Sequence, residues 1–205
     1  MTESLWATAR ALSRAAGRGE APPPLFFVTD PVRTPDPAAV AARLPAGAGV
    51  IYRAFGAPEA DATAAALAEI ARARGLTLLI GADAALAEAC GAHGVHLPER
   101  ALAEAPALRA AHPDWLLTGA AHDADALRSA QAAGVDAVLL SPVFPTRSAS
   151  GHAVLGRERF AELTASTRLP VYALGGVDAT TAPALIGTGA AGIAAVDGVV
   201  AEFAP

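Results

Sequence analysis

Three times along this chain, a stretch with helical spacing ends in a glycine and a buried-type apolar run begins within a few residues. Gly91-Ala92-His93-Gly94-Val95, Gly134-Val135-Asp136-Ala137-Val138 and Gly189-Ala190-Ala191-Gly192-Ile193 share this shape. A glycine just past a helix adopts the left-handed conformation that satisfies the last carbonyls, so each unit reads as the αβ turn of a βα repeat. Short β-type runs at 25–29, 50–53, 76–80, 94–97, 115–118, 137–140, 171–174 and 192–195 alternate with Ala-rich stretches of helical spacing at 58–74, 84–92, 103–111, 123–133 and 178–189. Alternation of this kind points to a parallel sheet, and near-continuous apolar strands fit a sheet covered on both faces.

The expected fold is a single (β/α)8 TIM barrel, class α/β, in one domain over 1–205. Residues 1–21 form an N-terminal helix and lead-in, and 22–205 form the barrel. The helix presents Leu5, Trp6, Ala9, Leu12 and Ala16 on one face, and Pro22-Pro23-Pro24 forces an extended approach to the first strand. The 53% hydrophobic and 17% charged composition over 205 residues suits a barrel, whose packed interior and outer helix ring bury more apolar surface than two layers do. A doubly wound open sheet is the structural alternative, weakened by the lack of GxGxxG after the first strand.

Charge excludes several classes. The net charge is −5, every one of the 15 basic residues is Arg, and no basic stripe exists, so no nucleic-acid partner is expected. No apolar run approaches the ~18 residues of a membrane span, and the N-terminus lacks a secretory h-region. The lone Cys90 forbids an internal disulfide and reads as a small buried hydrophobe, in keeping with a cytoplasmic protein. A monomer and a homodimer both remain open.

In such a barrel the chemistry sits on the loops after the strands. Asp30 reads as the start of a turn and Asp83 as a helix cap. Arg53 could meet a ligand anion or a partner carboxylate. His96 reads as a satisfied core histidine. His122, just before the cap-like Asp123, could transfer a proton near neutrality. The longest loop, from Ser141 to Ala153, carries Thr146, Ser148, Ser150 and His152, and its hydroxyls could donate to a phosphate. Gly175-Gly176 after the seventh strand and Asp197-Gly198 at a short helix after the eighth form the usual phosphate notch of this fold.

From Leu25 to Val199 the chain resembles the thiamine-phosphate synthase and thiazole tautomerase superfamily. The likeness rests on Phe27-Val28-Thr29-Asp30, Gly94-Val95-His96-Leu97, His122, Ser141-Pro142-Val143-Phe144-Pro145-Thr146, Ala173-Leu174-Gly175-Gly176-Val177 and Gly189-Ala190-Ala191-Gly192-Ile193. Synthases of this family join a pyrimidine pyrophosphate to a thiazole phosphate with Mg2+. Against that pattern, the Gln-Leu-Arg-Glu-Lys element reads Ile51-Tyr52-Arg53-Ala54-Phe55, the Asn-Asp pair reads Gly81-Ala82, and the second metal aspartate falls on Ala101. The serine before the histidine falls on Ala120 and the pyrophosphate lysine on Ala149. Alanine cannot ligate Mg2+, so no metal cofactor is expected.

The thiazole-phosphate half is better kept, in Thr146, Ser148 and Gly176, although Asp197 stands where the family has a small hydroxyl residue. His122 matches the proton-transfer histidine of tautomerase-type members. The resemblance therefore implies a small phosphorylated heterocycle as ligand. It leaves three activities open: tautomerase-type proton transfer, a divergent condensing synthase, and a non-catalytic ligand-binding or regulatory barrel.

Overall fold

Every strand of the sheet runs parallel to the next, and the last returns to the first. The computed structural model describes residues 4–17, 22–148 and 151–204. Its strands β1 (Leu25–Val28), β2 (Gly49–Tyr52), β3 (Thr77–Gly81), β4 (Gly94–Leu97), β5 (Leu116–Ala121), β6 (Ala137–Leu140), β7 (Val171–Ala173) and β8 (Gly192–Ala195) close a barrel in sequence order. The seam between β1 and β8 pairs Leu25 with Ile193 and Phe27 with Ala195. The expected TIM barrel is thus the observed fold.

Period-two alternation sorts the strand residues into two cores. Phe26, Val28, Ile51, Leu79, Ala137, Leu139, Tyr172 and Ala194 pack together inside the barrel. Their neighbours Leu25, Phe27, Val50, Leu78, Ile80, Val138, Leu140 and Ile193 face the helices. Phe26 and Tyr172 meet edge to face with centroids 5.2 Å apart. On β4 the same alternation places His96 on the inward side, opposite Val95 and Leu97, which join the outer core.

The outer layer contains α1 (Leu5–Ala15), α2 (Pro37–Ala41), α3 (Ala60–Arg74), α4 (Ala84–Cys90), α5 (Ala105–Ala111), α6 (Ala124–Ala133), α7 (Gly156–Ala165) and α8 (Asp197–Phe203). Leu5, Ala9 and Leu12 of α1 are buried as expected, with Trp6 half-buried. Glu202 of α8 accepts hydrogen bonds from the N–H groups of Leu5 and Trp6, tying α1 to α8. Asp36, Asp83 and Asp123 accept from N–H groups in the first turns of α2, α4 and α6. Helices α3, α4 and α6 end on left-handed Gly75, Gly91 and Gly134, as two of the three repeat units predict.

The third unit departs from the pattern. In place of a helix over 178–189 there is a single 3-10 turn, Ala182–Leu185. Asp178 bonds the N–H groups of Thr180 and Thr181 through its side chain, which offers the backbone an alternative to a helix. Pro183 removes a donor at the next turn. The stretch expected at 103–111 is likewise split, into a 3-10 segment, Glu99–Glu104, followed by α5. Residues 1–3 and 18–21 of the N-terminal segment, and Ala149 and Ser150 of the long loop, lie outside the described residues.

Candidate functional site

A cavity of about 1250 Å³ opens at the carboxyl ends of the strands. Side chains from the loops after most of the strands line it, and the inward residues of the barrel form its floor. His96 is buried there, its Nδ1 2.9 Å from Thr118 Oγ1 on the neighbouring strand. Burial, and secondarily the charge of Arg53, push its pKa down to about 3. His96 is therefore a neutral, hydrogen-bonded floor residue, the satisfied histidine expected from the sequence.

His122 follows β5 directly. Its Nδ1 lies 2.7 Å from the carbonyl oxygen of Ser141 at the end of β6. A carbonyl can only accept, so Nδ1 carries the hydrogen and the neutral ring presents Nε2 as a free base. The imidazole of His152, from the long loop, stacks on it with centroids 3.8 Å apart and planes 8° from parallel.

The rim between β1, β2 and β8 is built from alternating charges. Asp30 Oδ1 accepts the N–H groups of Val32 and Arg33, closing the turn expected for it. Its other oxygen is 3.1 Å from Arg33 and 3.7 Å from Arg53. Burial pushes the Asp30 carboxyl up, but the hydrogen bonds and charge of Arg33 outweigh this and hold it below the usual range. Arg33 continues to Asp197 at 3.3 Å and to Ser148 Oγ at 3.0 Å, and Arg147 reaches the other oxygen of Asp197 at 3.2 Å. Arg53 donates from Nε to the Thr29 carbonyl at 2.7 Å and lies over the Phe55 ring. Burial lowers its pKa, with Asp30 opposing and Arg33 adding to the effect. Arg53 thus pairs with a carboxylate and lines the cavity.

Next to this rim, the turns after β7 and β8 touch. A side chain at Gly198 would run into the Val177 carbonyl and the Asp178 Cα. Gly176 has φ +66°, and a Cβ there would strike the Pro145 carbonyl oxygen and Phe144. The two glycines bring the β7 turn, the first turn of α8 and the Phe144–Pro145 segment into contact. The first N–H groups of α8 have no acceptor inside the helix. The Thr181 hydroxyl donates to the Gly176 carbonyl at 2.9 Å, and the Phe144 N–H donates to that of Gly175 at 3.0 Å. These bonds fix the turn and occupy its carbonyls.

Of the residues singled out in the sequence, His122, Arg53, Thr146, Ser148, Gly175, Gly176, Asp197 and Gly198 all line the one cavity. Ala101 does not. It lies in the 3-10 segment after β4 and packs toward the outer core, while its neighbour Arg100 lines the cavity. Sequence reasoning missed Arg33, although its position three residues after Asp30 in a predicted turn was a usable signal. It also gave His152 no partner, and no local pattern would have supplied one.

A family model described as thiamine monophosphate synthase matches residues 25–199. The chain belongs to that family. Individual relatives match over shorter stretches. A thiamine-phosphate synthase from Levilactobacillus brevis is 43% identical over 65 residues, which cover 31% of this chain and 30% of the relative. A putative thiamine-phosphate synthase from Geobacter sulfurreducens is 33% identical over 78 residues, 38% and 37% of the two chains. The match thus spans about a third of these relatives' length. Among solved structures, the thiamine phosphate pyrophosphorylase from Pyrococcus furiosus superposes with a TM-score of 0.73 at 22% identity, over 84% of this chain and 85% of that one. FabK from Thermotoga maritima reaches 0.69 at 19% identity, over 92% and 62%. At these identities the superpositions speak for the barrel alone.

At the positions where the family resemblance places Mg2+ ligands, this member of the synthase family carries side chains without ligand atoms. Gly81 ends β3 and Ala82 follows it at the rim, without a ligand atom in either side chain, and Ala101 is outside the cavity. Asp83 beside them caps α4, accepting from the Leu86 N–H at 2.9 Å. Among the described residues no three His, Cys, Asp or Glu side chains form a group able to hold a metal ion. No helix there is long and apolar enough to cross a membrane.

Proposed function

We propose that this barrel binds a small phosphorylated, thiazole-like heterocycle and moves a proton on it through His122, without a metal ion, in the cytoplasm. The observation that carries the reading is the bond from His122 Nδ1 to the Ser141 carbonyl, which leaves Nε2 as a base at the cavity wall. The phosphate would sit where the Gly175–Gly176 turn meets the start of α8, with the hydroxyls of Thr146 and Ser148 and the guanidinium groups of Arg33 and Arg147 nearby. Glycine turns and helix starts offer N–H groups to anions, and arginines add charge. A proton transfer within one heterocycle needs a base, an acid and a held substrate. Mg2+-dependent condensation also needs carboxylates at the rim, and those positions are Gly81 and Ala82. The test is isomerisation of a thiazole carboxylate phosphate by the protein and by His122→Ala. The variant is expected to lose about a hundred-fold or more in kcat. Equal rates would remove His122 from the chemistry, and thiamine phosphate formation with Mg2+ and both substrates would replace proton transfer by condensation.

A second reading is supported by Asp197. Its carboxylate engages Arg33 and Arg147 beside the turn that would hold a phosphate. A non-catalytic binding or regulatory barrel could tolerate that competition. Thermal stabilisation by thiamine precursors without turnover is the outcome that reading expects.

A further inference from the structure

We propose that His152 is the second proton-transfer group of this site, acting as the acid to the base of His122. The proposal rests on the proton-transfer reading above and extends it to a residue outside the family motifs.

The argument begins with what His122 cannot do. Its Nδ1 is tied to the Ser141 carbonyl, with the Ser141 hydroxyl a further 3.3 Å contact, so the ring has one working nitrogen in a fixed direction. A tautomerisation breaks a bond to hydrogen at one ring atom and makes one at another. The electron pair left behind moves into the π-system, and the proton goes to Nε2 of His122. A second proton must reach a different atom, which a single anchored nitrogen serves poorly.

His152 supplies that second group. Gly151, with φ +70°, immediately precedes it, and its ring lies flat against His122. Among the described residues its nitrogens make no hydrogen bond, and the exposed ring adjoins the cavity through its stack on His122. The rings lie 3.8 Å apart, so a second group able to carry and release a proton sits directly beside the base.

Most of the other ionisable groups around the cavity are already committed. His96 on the floor stays neutral, Asp30 and Asp197 pair with Arg33, Arg53 and Arg147, Asp83 caps α4, and the Asp123 carboxylate beside His122 is committed to N–H groups of α6. Asp178, the carboxylate after β7, is bonded to Thr180 and Thr181. In the step itself His122 gains the proton removed from the heterocycle, and His152 gives its N–H proton to the second atom. The pair's proton count is unchanged by the step, and exchange with solvent takes the proton off His122 and returns one to His152.

His152→Phe keeps an aromatic ring in the stack and removes the proton, and the exposed position makes it benign for folding. Wild type, His152→Phe and His122→Ala are compared for isomerisation of the thiazole carboxylate phosphate across pH. His152→Phe is expected to lower kcat by about a hundred-fold with KM little changed, and to abolish one limb of the pH profile. Full activity of His152→Phe beside an inert His122→Ala overturns the role of His152 and leaves the parent reading standing. Inert wild type overturns the parent reading.

Discussion

Asp197 is the residue at which this chain departs most directly from a phosphate-binding barrel, and replacing it by Asn isolates its charge. Asn keeps the shape, but its single amide oxygen can accept from only one of Arg33 and Arg147, so one guanidinium is released with the charge. Loss of a carboxylate from the first turn of α8 costs about 0.3–1 kcal/mol of stability. The gain in anion binding is larger. Two unit charges about 4 Å apart repel by about 1 kcal/mol in water-like surroundings and about 4 kcal/mol at an effective dielectric of about 20. The Asp197 side chain is 41% exposed and its charge is shared by two guanidinium groups 3.3 and 3.2 Å away, which sets the estimate toward the lower limit. Relief of about 1–2 kcal/mol corresponds to roughly five- to thirty-fold tighter binding. Titration calorimetry with inorganic phosphate at low salt reads this directly, and the gain should shrink as salt is raised toward a Debye length of about 8 Å. Equal Kd values for wild type and Asp197→Asn would mean that no phosphate binds beside α8, and the small-phosphate reading would fall with it.

Three further outcomes follow from the same geometry. Arg33→Met should weaken phosphate binding by about 1 kcal/mol in wild type and by more in the Asp197→Asn background, where Arg33 is released from its partner; an additive double-mutant cycle would show that the pair does not act on the ligand. Gly176→Ala forces a side chain into a left-handed backbone and against the Pro145 carbonyl, so its urea midpoint should fall by the equivalent of at least about 1–2 kcal/mol, and an unchanged midpoint would contradict that packing. His96 is a base whose folded pKa, about 3, lies below its unfolded value of about 6.5, so the unfolded chain binds the extra proton between these limits. Its contribution to stability is complete above about pH 6.5 and is lost at up to about 1.4 kcal/mol per unit as pH falls toward 3. His96→Gln should flatten that slope in denaturant melts, and an unchanged slope would locate the acid sensitivity elsewhere.

Strands that begin at or soon after a glycine and are mostly apolar were legible from the sequence. Runs at 94–97, 137–140 and 192–195 coincide with β4, β6 and β8. The fifth run was read as 115–118, whereas β5 continues through Gly119-Ala120-Ala121, residues with little intrinsic β preference. Tertiary context decides there, since Ala120 and Ala121 pair with Leu139 and Leu140 of β6. The consequence for the site is direct: His122 stands on the strand end, close enough to Ser141 on the next strand for its tautomer to be set. The helix expected at 178–189 failed for the opposite reason, because local side-chain bonds from Asp178 won over helical spacing. Arg33 and Asp197 are 164 residues apart in sequence, so their pairing exists only once the barrel closes its seam. The stack of His152 on His122 depends on the path of the long loop, which residue types alone do not specify.

Condensation and proton transfer make different demands on the strand ends of a barrel. A departing pyrophosphate develops charge that metal ions and lysines answer, and it leaves only if those groups converge on it. Here the cations on the β1–β2–β8 rim are arginines, and Asp30 and Asp197 already partner Arg33, Arg53 and Arg147, so much of their charge is spent within the protein. Such a rim can orient a modest anion by exchanging partners, but it holds little unpaired charge for a leaving group. Proton transfer asks instead for a nitrogen fixed in tautomer and direction, and that demand is met by the backbone, through the Ser141 carbonyl. Loss of the carboxylates after β3 would disable the first chemistry and leave the second untouched. A chain under selection for proton transfer alone would be free to keep the histidine while its metal positions drifted to alanine.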